Sequence, residues 1–347
     1  MDRRSHPGGF LRRQHRRPND ALDQRPVRVE PAPGGDPARR RRRGQRPAVG
    51  GVLPPPQLRR RDRVHPDLHG RGQSAEIRAG LFRPLPCVHV HRNPPRDGRL
   101  TVARFVLVHG AWQGAWAWAR VVPLLEVAGH TAIAVDLPGN GHNDSAEPAD
   151  VTTMVYAKHV AGLIDTGEDP VILVGHSMGG TVVAQASELR PTQIAVAVYL
   201  CAFLLPDGES IVDFYDRAWE DWMTGAHARV GYSDDGHLSM IDPASAMAVF
   251  YNTAAPDDGL AAAARLTPQP EGGRRSKLQL SEAKFGTVPR VYIETLRDQS
   301  VFHKLQARMY TETPVGELYS LDTDHAPQLS APDALAEIML EVAGAHS

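Results

Sequence analysis

Hydrophobic residues in the later part of the chain form short continuous runs that alternate with amphipathic segments. Such runs are typical of strands buried on both faces of a parallel sheet. We predict strands at residues 103–110, 131–136, 171–175, 194–200, 288–295 and 315–321, and helices at residues 116–129, 151–165, 178–190, 300–310 and 331–343. Strands that alternate with helices in this way predict a doubly wound, mostly parallel α/β sheet.

The alternation is interrupted between residues 205 and 286, where the sequence lacks a strong strand pattern. This segment contains several large aromatic side chains, namely Trp219, Trp222, Tyr232, Phe250 and Tyr251. Doubly wound sheets hold their ligands at the carboxyl ends of the strands, and an insertion late in the sheet is placed to cover that edge. We therefore predict a helical cap at about residues 205–286.

The first hundred residues differ from the rest in composition and charge. Residues 1–100 hold 24 arginines, no lysine and nine acidic residues, a net charge of +15, whereas residues 101–347 carry a net charge of −16. Large apolar residues are scarce in the first segment, and no period of 2 or 3.6 is sustained. Such a segment cannot bury enough surface to offset its chain entropy. We predict a disordered N-terminal extension at 1–100 and a folded domain at 101–347.

Two interpretations of this extension differ in their consequences. Arginine runs attract phosphate groups, which would suit a nucleic-acid arm, but no aromatic platform or binding fold accompanies them. Arginine without lysine, beside abundant proline and glycine, is typical of an upstream region translated from a start codon assigned too early in a GC-rich genome. We favour the second interpretation and expect no nucleic-acid partner.

Composition also excludes several classes of protein. The two cysteines, Cys87 and Cys201, provide neither a disulfide framework nor a metal cluster, and they suit a reducing cytoplasm. No apolar run approaches the roughly 18–20 residues of a membrane span. The arginine pairs near the start lack the apolar stretch of an export signal. We expect a cytoplasmic protein with no membrane partner, no bound metal and no cofactor.

The sequence VILVGHSMGG, residues 171–180, carries the candidate chemistry. Its serine, Ser177, fits the pattern G-x-S-x-G at the predicted junction of a strand and a helix. A serine at such a junction lies on a strained turn that exposes its hydroxyl near a helix N-terminus, and small neighbours let the backbones cross. We assign Ser177 as a nucleophile; the alternative is a glycine-rich helix entry in which this serine is only a cap.

A serine nucleophile needs a base, and a histidine base needs a carboxylate that holds its tautomer. Where a G-x-S-x-G serine lies on such a strand-to-helix turn, the order along the chain is serine, acid, histidine. Asp298 follows the strand predicted at 288–295, and His325 follows the strand predicted at 315–321, so both side chains lie just past strand ends. We assign them as acid and base. Rival positions are His303 and His237 for the base, and Asp322, Asp324 and Glu294 for the acid.

The tetrahedral intermediate of acyl transfer needs two hydrogen-bond donors for its oxyanion, typically backbone N–H groups. Met178, the residue after the nucleophile, is placed to give one. The loop after the first strand is placed to give the other, and we assign it to Ala111. His109 in the same loop is assigned to packing and hydrogen bonding.

These motifs together resemble the α/β-hydrolase superfamily. The segments that carry the resemblance are FVLVHGAWQGAWAW, VVPLLEVAGH, AVDLPGNG, VILVGHSMGG, YLCAFLLPDGES, the region of Asp298 and DHAPQLSAP. More narrowly, they are similar to the branch that holds plant methylesterases, salicylate-binding esterases, hydroxynitrile lyases and related bacterial esterases. The resemblance covers residues 103–343 and none of residues 1–100. It implies the α/β-hydrolase fold and the same triad and oxyanion hole that the residues predict.

The hydroxynitrile lyases of this branch differ at two positions. They carry a threonine after the first histidine, and a lysine after the catalytic histidine stabilises the departing cyanide. This chain has Gly110 and Ala326 at those positions, so the resemblance favours hydrolysis. Dehalogenases and most epoxide hydrolases carry an aspartate where Ser177 stands, which argues against both.

We therefore expect a serine carboxylesterase that hydrolyses a small, partly apolar or aromatic ester through an acyl-enzyme. The candidate substrate contacts are Trp112, His176, Trp219 and Trp222; packing within the cap is an alternative role for the last two. The alternative functions are a hydroxynitrile lyase-like C–C lyase and a low-turnover small-molecule receptor of the same fold. The expected partner is a small-molecule ester, and the sequence leaves a homodimer open.

Overall fold

The computed structural model describes residues 102–218 and 230–346. The predicted extension at 1–100 and the aromatic residues Trp219 and Trp222 lie outside the described residues. The strands, in chain order, are β1 (Arg104–Val108), β2 (Thr131–Val135), β3 (Val171–His176), β4 (Ile194–Leu200), β5 (Val230–Tyr232), β6 (Leu238–Ile241), β7 (Gln269–Pro270), β8 (Arg290–Thr295) and β9 (Glu317–Leu321).

Six of these strands form one sheet in the order β2-β1-β3-β4-β8-β9. Every neighbouring pair in this sheet is parallel, so all six strands end at the same edge. Strand β1 lies between β2 and β3, and the strand order therefore reverses there. The carboxyl ends of the strands beside such a reversal form a crevice that binds ligands in open α/β sheets.

Helices connect the strands and cover both faces of the sheet. In chain order they are α1 (Val122–Val127), α2 (Thr153–Ile164), α3 (Gly179–Leu189), α4 (Ile211–Arg217), α5 (Pro243–Phe250), α6 (Pro256–Ala263), α7 (Gly272–Arg275), α8 (His303–Glu312), α9 (Pro327–Ser330) and α10 (Pro332–His346), with short 3-10 turns at Ala115–Trp118, Pro148–Asp150 and Phe285–Thr287.

Two hydrophobic clusters lie on opposite faces of the sheet, because alternate residues of a strand point to opposite sides. Val106 and Val108 of β1 belong to the cluster that includes buried side chains of α2, α3 and α8. Phe105 and Leu107 belong to the other cluster, which includes buried side chains of α1 and α10. This two-sided core confirms the doubly wound arrangement predicted from the continuous apolar runs.

The predicted helix at 116–129 was wrong in its continuity. The chain forms a 3-10 turn at Ala115–Trp118, and α1 begins only at Val122. Pro123 has no N–H group, and its ring excludes a preceding helical turn, so it is accepted in the first turn of a helix but not in the interior. The other predicted helices are confirmed, and Thr152 caps α2 by accepting a hydrogen bond from Val155 N at 3.2 Å.

The segment between β4 and β8 contains α4–α7 together with a small antiparallel sheet. Its strands pair in the order β5-β6-β7, which the sequence pattern did not predict. Hydrogen bonds of Trp112 join this segment to the loop after β1. Trp112 N donates to Gln269 Oε1 and Trp112 Nε1 donates to Ser239 Oγ, each at 3.1 Å, and Trp112 O accepts from Thr267 N at 2.9 Å. Trp112 therefore fixes the segment beside the carboxyl edge of the central sheet.

Within the two described ranges, no helix combines the length and the hydrophobicity that crossing a lipid bilayer requires.

Candidate active site

Ser177 lies on a tight turn between β3 and α3. Its φ of 54° is in the left-handed region, where a residue with a side chain is strained. The turn is held by backbone hydrogen bonds, since Ser177 N donates to Leu200 O at 3.2 Å and Ser177 O accepts from Phe203 N at 3.0 Å. The neighbouring strand β4 and the loop that follows it therefore maintain the strained backbone.

Two glycines make this turn possible. A Cβ at Gly175 would lie 2.6 Å from Gly179 O, and a Cβ at Gly179 would lie 2.8 Å from His109 O. Both contacts are with backbone atoms, which cannot move aside as the end of a flexible side chain can. The G-x-S-x-G pattern thus reflects close approach of β3, the first turn of α3 and the loop after β1.

Ser177, His325 and Asp298 form a hydrogen-bonded chain. Ser177 Oγ lies 2.9 Å from His325 Nε2, and His325 Nδ1 lies 2.7 Å from Asp298 Oδ2. A carboxylate can only accept, so His325 Nδ1–H donates to Asp298 and the lone pair of Nε2 accepts from the serine hydroxyl. This tautomer is the one that a general base acting on the serine requires.

Asp298 is buried and its carboxylate is held by four further donors. Oδ1 accepts from the backbone N–H groups of Ser300 at 2.7 Å and Val301 at 2.8 Å. Oδ2 accepts from Thr295 Oγ1 at 3.1 Å and from Gln306 Nε2 at 3.2 Å. These donors stabilise the ionised carboxylate and fix its orientation toward the imidazole. Gln306, on α8, was not singled out in the sequence because a single glutamine on a helix face carries no pattern.

The rival acids are engaged elsewhere. Glu294 accepts from His303 Nε2 at 2.7 Å, Asp324 accepts from Thr253 N at 2.8 Å, and exposed Asp322 pairs with an arginine. His303 is thereby paired with Glu294 rather than with the serine. Among the described residues, the structure brings Asp298 and His325 together with Ser177, as the strand-end positions predicted.

The backbone N–H groups of Ala111 and Met178 are the candidate oxyanion donors. Both residues line the same cavity as Ser177. Among the hydrogen bonds recorded for the described residues, neither N–H group has an intramolecular acceptor. Buried N–H groups are rarely left without an acceptor, so two of them beside a serine hydroxyl are suited to bind a ligand oxygen.

His109 packs beneath this loop and makes two hydrogen bonds. Its Nδ1–H donates to Gly110 O at 2.8 Å, and its Nε2 accepts from Leu137 N at 3.2 Å. Burial lowers the pKa of His109 from 6.5 to about 4, so the imidazole is neutral near pH 7. This placement matches the packing and hydrogen-bonding role assigned from the sequence.

His176 was predicted to contact substrate, but its side chain lies elsewhere. It is buried and is absent from the lining of the cavity beside Ser177. Its Nε2–H donates to the backbone oxygen of His325 at 2.6 Å. Burial holds the pKa of His176 well below its ordinary value. The imidazole therefore lies outside the cavity lining and holds the backbone of the His325 loop.

The cavity beside Ser177 has a volume of about 370 Å³. Its walls are formed largely by aromatic and aliphatic side chains, among them Trp112, Phe203, Ile211, Tyr215, Val249 and Phe250. Phe250 also packs over the His325 ring, with a centroid separation of 5.4 Å. Of the substrate contacts predicted from the sequence, Trp112 lines this cavity, whereas Trp219 and Trp222 lie outside the described residues.

His176, Cys201 and His325 form a group whose ligand atoms lie within 4.8 Å of one another. Each of these side chains is already engaged: His325 bonds Ser177 and Asp298, and both His176 Nε2–H and the Cys201 thiol donate to His325 O. Burial raises the pKa of the Cys201 thiol well above its ordinary value, which disfavours the thiolate that binds metals. Metal binding here would therefore have to disrupt the Ser177–His325–Asp298 chain.

The described domain matches the profile of the Alpha/beta hydrolase family over residues 105–338. The chain belongs to this family. Methylesterase 1 of Arabidopsis thaliana is 34% identical over 253 residues, covering 69% of this chain and 95% of that relative. A longer chloroplastic relative from the same plant is also 34% identical over 253 residues, and the chain spans 65% of its length.

Solved structures of named hydrolases have the same fold. Polyneuridine aldehyde esterase is 27% identical, with a TM-score of 0.61 over 70% of this chain and 99% of that chain. A pyrethroid hydrolase from Sphingobium faniae JZ-2 is 27% identical, with a TM-score of 0.62 over 71% of this chain and 98% of that chain. These relatives of the alpha/beta hydrolase domain are named as esterases or hydrolases.

Proposed function

We propose that this protein is a serine carboxylesterase that forms an acyl-enzyme on Ser177. The observation that carries the proposal is the hydrogen-bonded chain from Ser177 Oγ through His325 to Asp298, with distances of 2.9 and 2.7 Å. Ser177 lines a cavity of about 370 Å³ together with Ala111 and Met178, whose backbone N–H groups have no recorded acceptor among the described residues. The esterase names of the relatives support the same reaction class.

In the proposed first half-reaction, Ser177 Oγ attacks the ester carbonyl carbon while His325 Nε2 takes the hydroxyl proton. The resulting oxyanion accepts hydrogen bonds from Ala111 N and Met178 N, which stabilise negative charge as it develops. His325 then donates its proton to the leaving alkoxide, and the alcohol departs. Asp298 stabilises the imidazolium formed between these two proton transfers.

In the second half-reaction, His325 removes a proton from water, and the hydroxide attacks the acyl carbon. Collapse of the second tetrahedral intermediate breaks the bond to Ser177 Oγ and returns the proton to it. The acid is released and the serine is regenerated. Every proton transfer uses the same Nε2 atom, so the donation of His325 Nδ1–H to Asp298 is maintained throughout.

The cavity favours a small ester with an apolar or aromatic part. Aromatic and aliphatic groups bury their surface against walls such as Trp112, Phe203 and Phe250. The lyase alternative finds less support here, because a Cβ at Gly110 would lie 2.9 Å from both His176 Nδ1 and Ser177 Cβ. A threonine at this position would require the loop or the serine turn to move.

The test is hydrolysis of p-nitrophenyl acetate and butyrate by the full chain and by Ser177→Ala. We expect the variant to lose at least about 10³-fold in kcat/KM, since removal of a triad nucleophile can cost as much as about 10⁶-fold. Intact-mass spectrometry after rapid quenching should detect the acyl adduct on the wild type alone. A matched control is Ser187→Ala, further along α3. This substitution removes a buried hydroxyl that has no hydrogen-bond partner among the described residues. Equal hydrolysis by Ser177→Ala and the wild type would refute the proposal.

The acid is tested in the same assay with a matched pair of carboxylates. Asp298→Asn should lower kcat by about 10²–10⁴-fold, because an amide can stabilise neither the imidazolium nor the required tautomer. Glu294→Gln changes another buried carboxylate that bonds a different histidine, His303, and should keep nearly full activity. The assignment fails if the two variants lose activity to the same extent.

A further inference from the structure

Among the described residues, the lining of the mainly apolar cavity beside Ser177 includes one cationic side chain, which is largely but not fully buried. Arg274, on α7, lines this cavity together with Trp112 and Tyr232. Its side chain is only 15% exposed, and its guanidinium carbon lies 5.1 Å from the centroid of the Trp112 ring. The planar guanidinium is therefore held against an aromatic wall of the site rather than extended into solvent.

The charge of this guanidinium is only partly compensated. Glu271 is the carboxylate that pairs with it, at 2.8 Å from Nη1, and the same carboxylate also pairs with Arg275 Nε at 3.4 Å. One buried negative charge is thus shared between two positive charges. Asp216 also lines the cavity, but it is exposed, so water screens its charge.

The remaining nitrogens of the guanidinium are available to a ligand. In the described ranges, the recorded hydrogen bond of Arg274 uses Nη1 alone, which leaves the donors on Nε and Nη2. Burial alone would lower the pKa of Arg274, but the charge of Glu271 raises it above its ordinary value, so the side chain stays protonated. Buried donors that carry charge are costly unless an acceptor meets them.

We propose that Arg274 binds an ionised carboxylate on the substrate, so that the preferred substrate is a monoester of a dicarboxylic acid. This inference rests on the esterase function proposed above. The aromatic and aliphatic walls bury the carbon chain between the two ends of such a molecule. The ester end meets Ser177, and the carboxylate end meets the free edge of the guanidinium, whose planar fork matches two carboxylate oxygens.

Two substrates of nearly equal shape separate charge from size. Monomethyl glutarate carries the carboxylate, and the methyl ester of glutaric acid monoamide carries a neutral amide in its place. We expect the wild type to prefer the acid ester by about 10- to 100-fold in kcat/KM, the scale of a hydrogen-bonded charge pair. Arg274→Gln should reduce this ratio to about one, chiefly by raising KM for the acid ester, and Arg274→Lys should retain part of it.

Arg275→Gln is the matched control. Arg275 shares Glu271 with Arg274, but it is 52% exposed and is not part of the cavity lining. If the arginines serve only to neutralise Glu271, both glutamine variants should change the two substrates equally. If Arg274 binds the carboxylate, only its substitution should change the ratio of acid ester to amide ester.

Binding is measured independently of turnover by calorimetry in the Ser177→Ala background. The acid ester should bind about 10- to 100-fold more tightly than the amide ester, and Arg274→Gln should remove the difference. Equal affinity for the two esters would overturn this inference even if p-nitrophenyl acetate is hydrolysed in a Ser177-dependent manner. Absence of p-nitrophenyl acetate hydrolysis by the wild type would instead overturn the proposed esterase function. The calorimetric comparison would still decide whether Arg274 binds the carboxylate.

Discussion

Protonation of His109 should couple the stability of the domain to pH. This imidazole is buried and neutral, and its pKa is about 4 in the folded chain against 6.5 for an ordinary histidine. The unfolded chain therefore binds the proton more tightly. The part of the stability that depends on a neutral His109 is fully present above about pH 6.5, and it decreases as the pH falls from 6.5 toward 4.

The two pKa values give the size of the effect. At pH 5 the unfolded side chain is almost fully protonated and the folded one is mostly neutral, so the linkage relation gives a loss of about 2 kcal/mol relative to pH 7.5. His109→Gln keeps an acceptor for Leu137 N but cannot titrate. It loses the donor to Gly110 O, which should lower stability at pH 7.5 by about 1 kcal/mol.

Urea unfolding followed by tryptophan fluorescence at pH 7.5, 6.5, 5.5 and 5.0 measures this difference. The wild type should lose about 2 kcal/mol more than His109→Gln between the two ends of this series. Part of the decline should persist in the variant, because buried His176 is shifted in the same direction. His142→Gln removes an exposed imidazole and should follow the wild type. Parallel pH profiles for the wild type and His109→Gln would refute the reasoning.

Two further predictions concern the serine turn and the buried thiol. Gly175→Ala places a Cβ 2.6 Å from Gly179 O and should lower stability by about 1–3 kcal/mol in thermal unfolding. The control Gly162→Ala, in α2 with open space around it, should stabilise the domain by up to about 1 kcal/mol. Equal effects of the two substitutions would contradict the packing argument. Cys201 is fully buried with a raised pKa, so iodoacetamide should modify its peptide only after denaturation, and modification of the native protein, read by peptide mapping, would contradict this.

The central sheet could be predicted because its inner strands, β1, β3, β4 and β8, are buried at nearly every residue and appear as continuous apolar runs. The three residues of the hydrogen-bonded chain could be predicted for a related reason. Parallel strands end at one edge, so residues just past β3, β8 and β9 must come close together although Ser177 and His325 are 148 positions apart. The rival carboxylates also follow strands, and the sequence alone could not show that Glu294 is already bonded to His303.

The structure of the cap was harder to predict from the sequence. Strands β5, β6 and β7 have three, four and two residues, which is too short for a period of two to be recognised. Arg274 could not be found for another reason. Its importance depends on burial against Trp112, which is 162 positions earlier, and on the sharing of Glu271 with Arg275. A charge in a short polar helix is normally exposed, so only the tertiary packing distinguishes this one.

The placement of His176 shows why proximity in sequence misled the prediction of substrate contacts. Ser177 follows the last residue of β3 on a turn with φ 54°, whereas His176 ends the strand and is buried outside the lining of the cavity that the serine faces. There, His176 Nε2–H donates to the backbone oxygen of His325, and the side chain of His325 bonds Ser177 Oγ. The end of β3 thus fixes both members of the pair, the serine through its strained turn and the histidine through its loop. His325 therefore depends on β3 for the position of its backbone as well as for the hydroxyl that its Nε2 contacts at 2.9 Å.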